Sequence, residues 1–266
     1  MEIVCDESGY EGERLIGTTT DVFAHASVRL DPASATACMA ELRLRIRSPA
    51  EVYKSGHLLR GKHRAVLAWF LSEQSPVYGR ARVFLVQKDF FVLTRLTAVL
   101  GGDPVALYQR RPTLDFLHAA NDVLRGRPAP LGPTWDEHVP EFLARRAADP
   151  LRLSVVDPLI PALTAAVASW GGPLSIVHDR QTTLPRPDVL RTLIPGLDGL
   201  TLADSRADSR VQVADIVAGV VRKVAEDELH DEGDPELTDL LAPYVDGASV
   251  WGDPRSWALV TGQGLA

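Results

Sequence analysis

Three short apolar runs in this chain are each followed closely by an aspartate, and no other feature limits the fold as much. Residues 1–5 (MEIVC) lead into Asp6-Glu7-Ser8-Gly9. Residues 82–86 (RVFLV) reach Asp89 after Gln87 and Lys88, and residues 174–178 (LSIVH) stop on Asp179. Runs of this length, bounded by Gly, Pro and acidic residues, predict buried strands. Residues 22–30 (VFAHASVRL) predict another strand and 200–202 a short one, and the Gly/Thr-rich stretch between residues 9 and 22 has room for one more. Helices are expected over about 31–47, opened by Asp31-Pro32, and over 61–71, 90–100 and 211–229. In the last of these, Val213, Val217, Val220 and Val224 fall on one face. Alternating strands and helices after a β-rich start predict a mixed α/β sheet with helices on its faces.

The 266 residues suit one large domain. We expect it to span residues 1–230 and to include a mostly helical insertion around 101–170, broken at Gly101-Gly102 and through 125–133. Residues 231–266, rich in Gly, Pro and Asp, are expected to wrap the surface as a C-terminal extension. No apolar run approaches the roughly 18–20 residues a membrane span needs, and the N-terminus lacks the pattern of a secretory leader. Two cysteines, Cys5 and Cys38, in that context suggest a reducing compartment, so a cytoplasmic protein with no membrane partner is expected. The net charge of −7 lowers the expectation of nucleic-acid binding without excluding it, because local patches and bound cations decide. The oligomeric state is open, a homodimer included.

Carboxylates at strand ends are placed where open α/β sheets bind ligands, and hard oxygen donors suit Mg²⁺ or Mn²⁺. Taken singly, Asp6, Asp89 and Asp179 read at least as readily as turn residues. Asp215 is harder to dismiss, because it sits in an apolar helix with Ala218 and Gly219 at i+3 and i+4. Small residues there let a neighbouring element approach closely, and the carboxylate is then paired, a charge near the helix start, or a metal ligand. The segment EVYKSGHLLR collects Glu51, Lys54, His57 and Arg60 in ten residues, either completing such a site or forming a solvated loop. Cys5 and His25, inside apolar strands, are expected to be structural. His178 is balanced between site and packing roles, and Ser8 reads as a turn residue. Phosphate-binding glycine loops, zinc-ligand spacings and hydrolase elbows are absent from the sequence.

Taken together, Asp6-Glu7-Ser8-Gly9, Asp179-Arg180-Gln181, Asp204-Ser205 and Gln212-Val213-Ala214-Asp215-Ile216-Val217-Ala218-Gly219 resemble the pattern of the bacterial family called domain of unknown function 3800, over roughly residues 2–225. Lys54-Ser55-Gly56-His57-Leu58-Leu59-Arg60 is similar to that family's E-x-K segment. The position two before the lysine is Val52 here rather than Glu, and Glu51 stands one step further back. The resemblance implies an RNase H-like mixed β-sheet with carboxylates gathered around one or two Mg²⁺ or Mn²⁺ ions. It implies Asp6, Asp179 and Asp215 as ligands, with Glu51 or Asp89 completing the set, and Lys54 and His57 assisting catalysis. Ser8, Arg180, Gln212 and Arg60 are implied as substrate contacts.

The function so implied is divalent-metal-dependent cleavage of phosphodiesters, as by a nuclease. Two alternatives stand beside it. One is a non-catalytic RNase H-like binding module in a defence or mobile-element system. The other is a metal-dependent hydrolase of a small molecule such as a nucleotide.

Overall fold

A computed structural model describes residues 1–47, 53–148 and 156–263. The chain starts with strand β1 (Glu2–Ser8) and strand β2 (Val22–Val28). Helix α1 (Pro32–Ile46) follows, its N-terminus capped by Asp31 with proline in the first turn. Next come the short α2 (Ser55–Leu58), α3 (Arg64–Leu71), strand β3 (Ala81–Gln87) and α4 (Lys88–Leu100). The central helices are α5 (Pro104–Gln109), α6 (Leu114–Leu124), α7 (Val139–Ala148) and α8 (Leu159–Trp170). Strand β4 (Leu174–Asp179), α9 (Pro187–Leu193), strand β5 (Leu197–Ala203) and the long α10 (Ser209–Leu229) lead to α11 (Pro235–Asp239) and α12 (Pro254–Val260).

The five strands form one mixed sheet in the order β3-β2-β1-β4-β5. β2 runs antiparallel to both neighbours, while β4 is parallel to β1 and to β5. Side chains alternate between the two faces of a strand, and the two cores follow that alternation. Ala24, Ala26 and Val28 face a core shared with α1, α3 and α10, whereas Ile3, Cys5 and Phe23 face a second core built from α4, α6, α8 and α9. The expected α/β class and helix-covered sheet are what the structure shows.

Three differences from the sequence reading matter. β1 does not stop at Cys5. Its pairing with β2 continues through Asp6↔Ala26, Glu7↔His25 and Ser8↔Ala24, so the acidic pair is strand rather than turn. The turn begins at Gly9, which adopts φ 76°. A Cβ there would lie 2.4 Å from the Val22 carbonyl oxygen, so glycine is required on both counts. Between β1 and β2 only an isolated bridge, Glu11↔Glu13, is found. Residues 231–263 do more than wrap the surface. Val245 and Val250 bridge to β3 at Val83 and Val86, and Leu241, Tyr244 and Val260 are buried in the α10 core. This covers the otherwise open β3 edge. Among the described residues no helix is long and apolar enough to cross a membrane.

Candidate functional site

The extension of β1 to Ser8 sends Asp6 and Glu7 to opposite faces of the sheet. Asp6 shares a row with Ala26, whose face packs against α10. In β4, Cys5↔His178 is the last paired row with β1, and Asp179 ends that strand one residue further on. Asp6, two residues before the end of β1, and Asp179, at the end of β4, therefore lie on adjacent parallel strands, and α10 brings Asp215 over them. The charges of Asp215 and Asp179 help to raise the Asp6 carboxyl, and that of Asp179 helps to raise Asp215.

Asp215 does not cap its helix. α10 starts at Ser209, and Asp208 caps it by accepting from the Arg210 amide, which leaves Asp215 on the second turn. Its partner is Lys54, whose Nζ donates to Oδ1 at 2.8 Å. Gly219 makes that contact possible. A methyl there would sit 2.1 Å from Ser55 Oγ and 2.4 Å from Ser55 Cβ, so only glycine lets the start of α2 lie against α10. His57 helps set the same segment, its Nδ1 lying 3.2 Å from the Lys54 amide nitrogen, and its ring packs 5.3 Å from Tyr53.

Burial controls the electrostatics. Asp6, 4% exposed, has its carboxyl pushed up to about 9 by burial first, then by the charges of Glu7 and Asp215. Burial also pushes Glu7 up to about 7, against the stabilising hydrogen bond from Gln181. Asp215 is raised by burial more than Lys54 lowers it. The Lys54 ammonium is opposed by burial, yet the Asp215 bond and the nearby carboxylates hold it above its ordinary range. Three carboxylate oxygens, Asp6 Oδ2, Glu7 Oε2 and Asp215 Oδ2, are buried without a hydrogen-bond partner. Buried oxygens of this kind are costly unless something compensates them.

A second set of contacts supports the cluster. The Ser205 amide donates to Asp179 Oδ1 at 3.2 Å, and Gln212 Nε2 donates to the Ser205 carbonyl at 2.7 Å. Gln212 thus anchors the loop that holds Asp179. Arg222 Nε donates to Ser8 Oγ at 3.0 Å. On the other face, His178 Nδ1 lies 2.9 Å from the Asp179 carbonyl, an acceptor only, so this nitrogen carries the proton. His178 Nε2 lies 3.2 Å from His25 Nε2 and 3.6 Å from Glu7 Oε2. Burial holds both imidazoles below their ordinary range.

The structure thus brings together Asp6, Asp179, Asp215 and Lys54, with Gln212 linked to Asp179 through Ser205, while Ser8 is held by Arg222. It does not bring Asp89 there. The chain passes directly from β3 into α4, so Asp89 lies in the helix's first turn. It accepts there from the Phe90 amide and lines a separate pocket with Asp21, Lys88 and Tyr108. Arg180 is exposed, 3.8 Å from Asp204, and Arg60 precedes a single 3₁₀ turn, Gly61–His63. Glu51 lies outside the described residues. Cys5 is fully buried, its thiol pushed far up by burial, in keeping with packing. The sequence reading gave no site role to Glu7, Gln181 and Ser205, although each stands in a quoted motif, and it missed Arg222. Glu7 was findable, since strand alternation applied to Asp6-Glu7 separates the two carboxylates.

In donor type and in its orphaned oxygens the set fits a hard divalent cation. Among the described residues, no three His, Cys, Asp or Glu side chains are already arranged around one metal position.

Fold and site together define a mixed α/β protein with a buried carboxylate cluster where β1, β4 and α10 meet. No protein-family model matches the chain and no curated protein matches it. Among solved structures, a chain of the PCNA:RNase HII complex from Archaeoglobus fulgidus aligns at 15% identity and a TM-score of 0.36, covering 98% of this chain and 87% of that one.

Proposed function

We propose that this protein is a divalent-metal-dependent phosphodiester-cleaving enzyme with an RNase H-like arrangement, related to the domain of unknown function 3800 family. One observation carries the reading. Two orphaned, buried carboxylate oxygens, on Asp6 and Asp215, belong to a cluster in which Lys54 is the cation paired with a carboxylate among the described residues.

Asp6, Asp179 and Asp215 are the residues that would hold Mg²⁺ or Mn²⁺. Bound there, such an ion supplies Lewis-acid polarisation of a phosphoryl oxygen and a more acidic water. The chain's own residues prepare the place. Gln212 and Ser205 fix the Asp179 carboxylate, Gly219 lets Lys54 reach Asp215, and the Lys54 ammonium, half exposed beside the carboxylates, can meet a phosphate oxygen. Substrate is expected to be nucleic acid, which brings its own negative charge to an acidic site and therefore needs the cation first.

The test is cleavage of single- and double-stranded DNA and RNA with Mn²⁺, for the wild type, Asp6→Asn and Asp215→Asn. Loss of cleavage in both variants, with unchanged circular dichroism, is the expected result. Mn²⁺ is also expected to raise the melting temperature of the wild type and not that of Asp6→Asn. Equal cleavage by all three proteins removes the proposal.

A further inference from the structure

A cavity of about 720 Å³ belongs to none of the elements assigned above to the carboxylate cluster. It opens on the opposite face of the sheet, against Phe84 of β3, and its walls come mainly from α8 and from the chain leading into α9. Leu159, Ala165, Leu184 and Val250 make most of it apolar.

Its polar groups are few and unequal. Asp157 is already engaged, accepting from the Tyr10 hydroxyl at 2.8 Å and from the Leu159 amide at 2.9 Å. Thr183 shares a hydrogen bond with the same Tyr10 hydroxyl at 2.7 Å. Arg95 is different. Its guanidinium stacks over the Phe91 ring at 4.7 Å, one helical turn back on α4, which fixes its direction. Its Nε is buried and has no hydrogen-bond partner. Among the described residues no carboxylate forms an ion pair with it, Asp157 included. Burial works against its charge. A buried, unpartnered N–H on a half-buried guanidinium beside apolar walls is a donor left unsatisfied. Its geometry suits a planar carboxylate.

We propose that this cavity binds an apolar carboxylate, with the hydrocarbon body along α8 and the carboxylate on Arg95. Size and lining match those of small-molecule sites, which are mostly apolar with a few placed polar groups. The apolar body provides burial, and Arg95 selects the charge of the head group. A cation of the same shape meets a like charge, and an alcohol leaves the guanidinium only partly satisfied.

Isothermal titration of the full chain with octanoate, 1-octanol and octylamine tests this, with melting curves confirming that each variant is folded. Octanoate is expected to bind about tenfold or more tightly than 1-octanol, as a charge-assisted hydrogen bond allows, and octylamine not to bind. Arg95→Met should bring octanoate down to the level of 1-octanol. Ala168→Trp, at an exposed position on the cavity wall, should block both. Octanoate and octylamine binding alike in the wild type, or no binding of octanoate at millimolar concentration, overturns the proposal without any variant. Unchanged octanoate affinity in Arg95→Met overturns it as well. None of these readouts involves nucleic acid or Mn²⁺, so this site and the carboxylate cluster can fail separately.

Discussion

Lys54 and Asp215 are 161 positions apart in the chain, yet Nζ and Oδ1 meet at 2.8 Å. The contact depends on a residue that bears no functional group. Gly219, one helical turn beyond Asp215, leaves the space that Ser55 occupies.

Gly219→Ala is therefore expected to destabilise the fold by about 1–3 kcal/mol, the usual cost of overpacking, despite alanine's better helix propensity. It should also reduce any cleavage activity by moving Lys54. Because the clash includes Ser55 Cβ, adding Ser55→Gly should recover part of both losses. Urea unfolding of the two single variants and the double variant measures this coupling, and strictly additive effects would count against the packing account.

Lys54→Met separates the roles of the ion pair. Its lysine is half exposed, so the pair itself contributes at most modestly to stability, and the melting temperature should hardly change. Asp215, already raised by burial, loses the group that lowers it. Any activity that needs Asp215 ionised should then shift to higher pH, visible in the acidic limb of a pH–rate profile.

Asp6 makes a prediction about stability in the absence of metal. Its carboxyl holds a proton up to about 9 in the fold, but only to about 4 in an unfolded chain. The native state then binds more protons across that range, so its stability falls as pH rises through it. Asp6→Asn removes this dependence. In EDTA the variant should gain stability relative to the wild type between pH 5 and pH 8, measured by urea unfolding at both. Parallel behaviour at the two pH values would falsify the assignment of a buried, proton-holding Asp6.

Glu226 is predicted to be structural. Its Oε1 accepts from the backbone amides of Asp21 at 2.7 Å and Val22 at 3.2 Å, while Arg222 holds the other oxygen. Glu226→Ala leaves both amides and a partly buried guanidinium unsatisfied, at a cost of about 2 kcal/mol or more. Since Arg222 also reaches Ser8, hydrogen exchange at the start of β2 should rise in this variant.

Much of the architecture was legible in the sequence alone. Apolar runs of strand length, Asp31-Pro32 opening α1, and the valine stripe of α10 report local periodicity and capping, which act over a few residues and therefore leave a local trace. The order of Asp6, Asp179 and Asp215 along the chain marked them as candidates for the same reason, each standing at or near the end of a recognisable element. What the sequence could not decide was where each strand stops and what stands opposite it. β1 runs on through Glu7 because β2 supplies partners for its backbone, and that pairing alone puts Asp6 and Glu7 on different faces. Asp89 looked equivalent to Asp179, but α4 begins at once after β3 and carries it into another pocket. The unpaired Nε of Arg95, beside an apolar cavity, has no local signature at all. Burial, pairing and charge proximity are sums over residues distant in the chain, so only the tertiary structure fixed them.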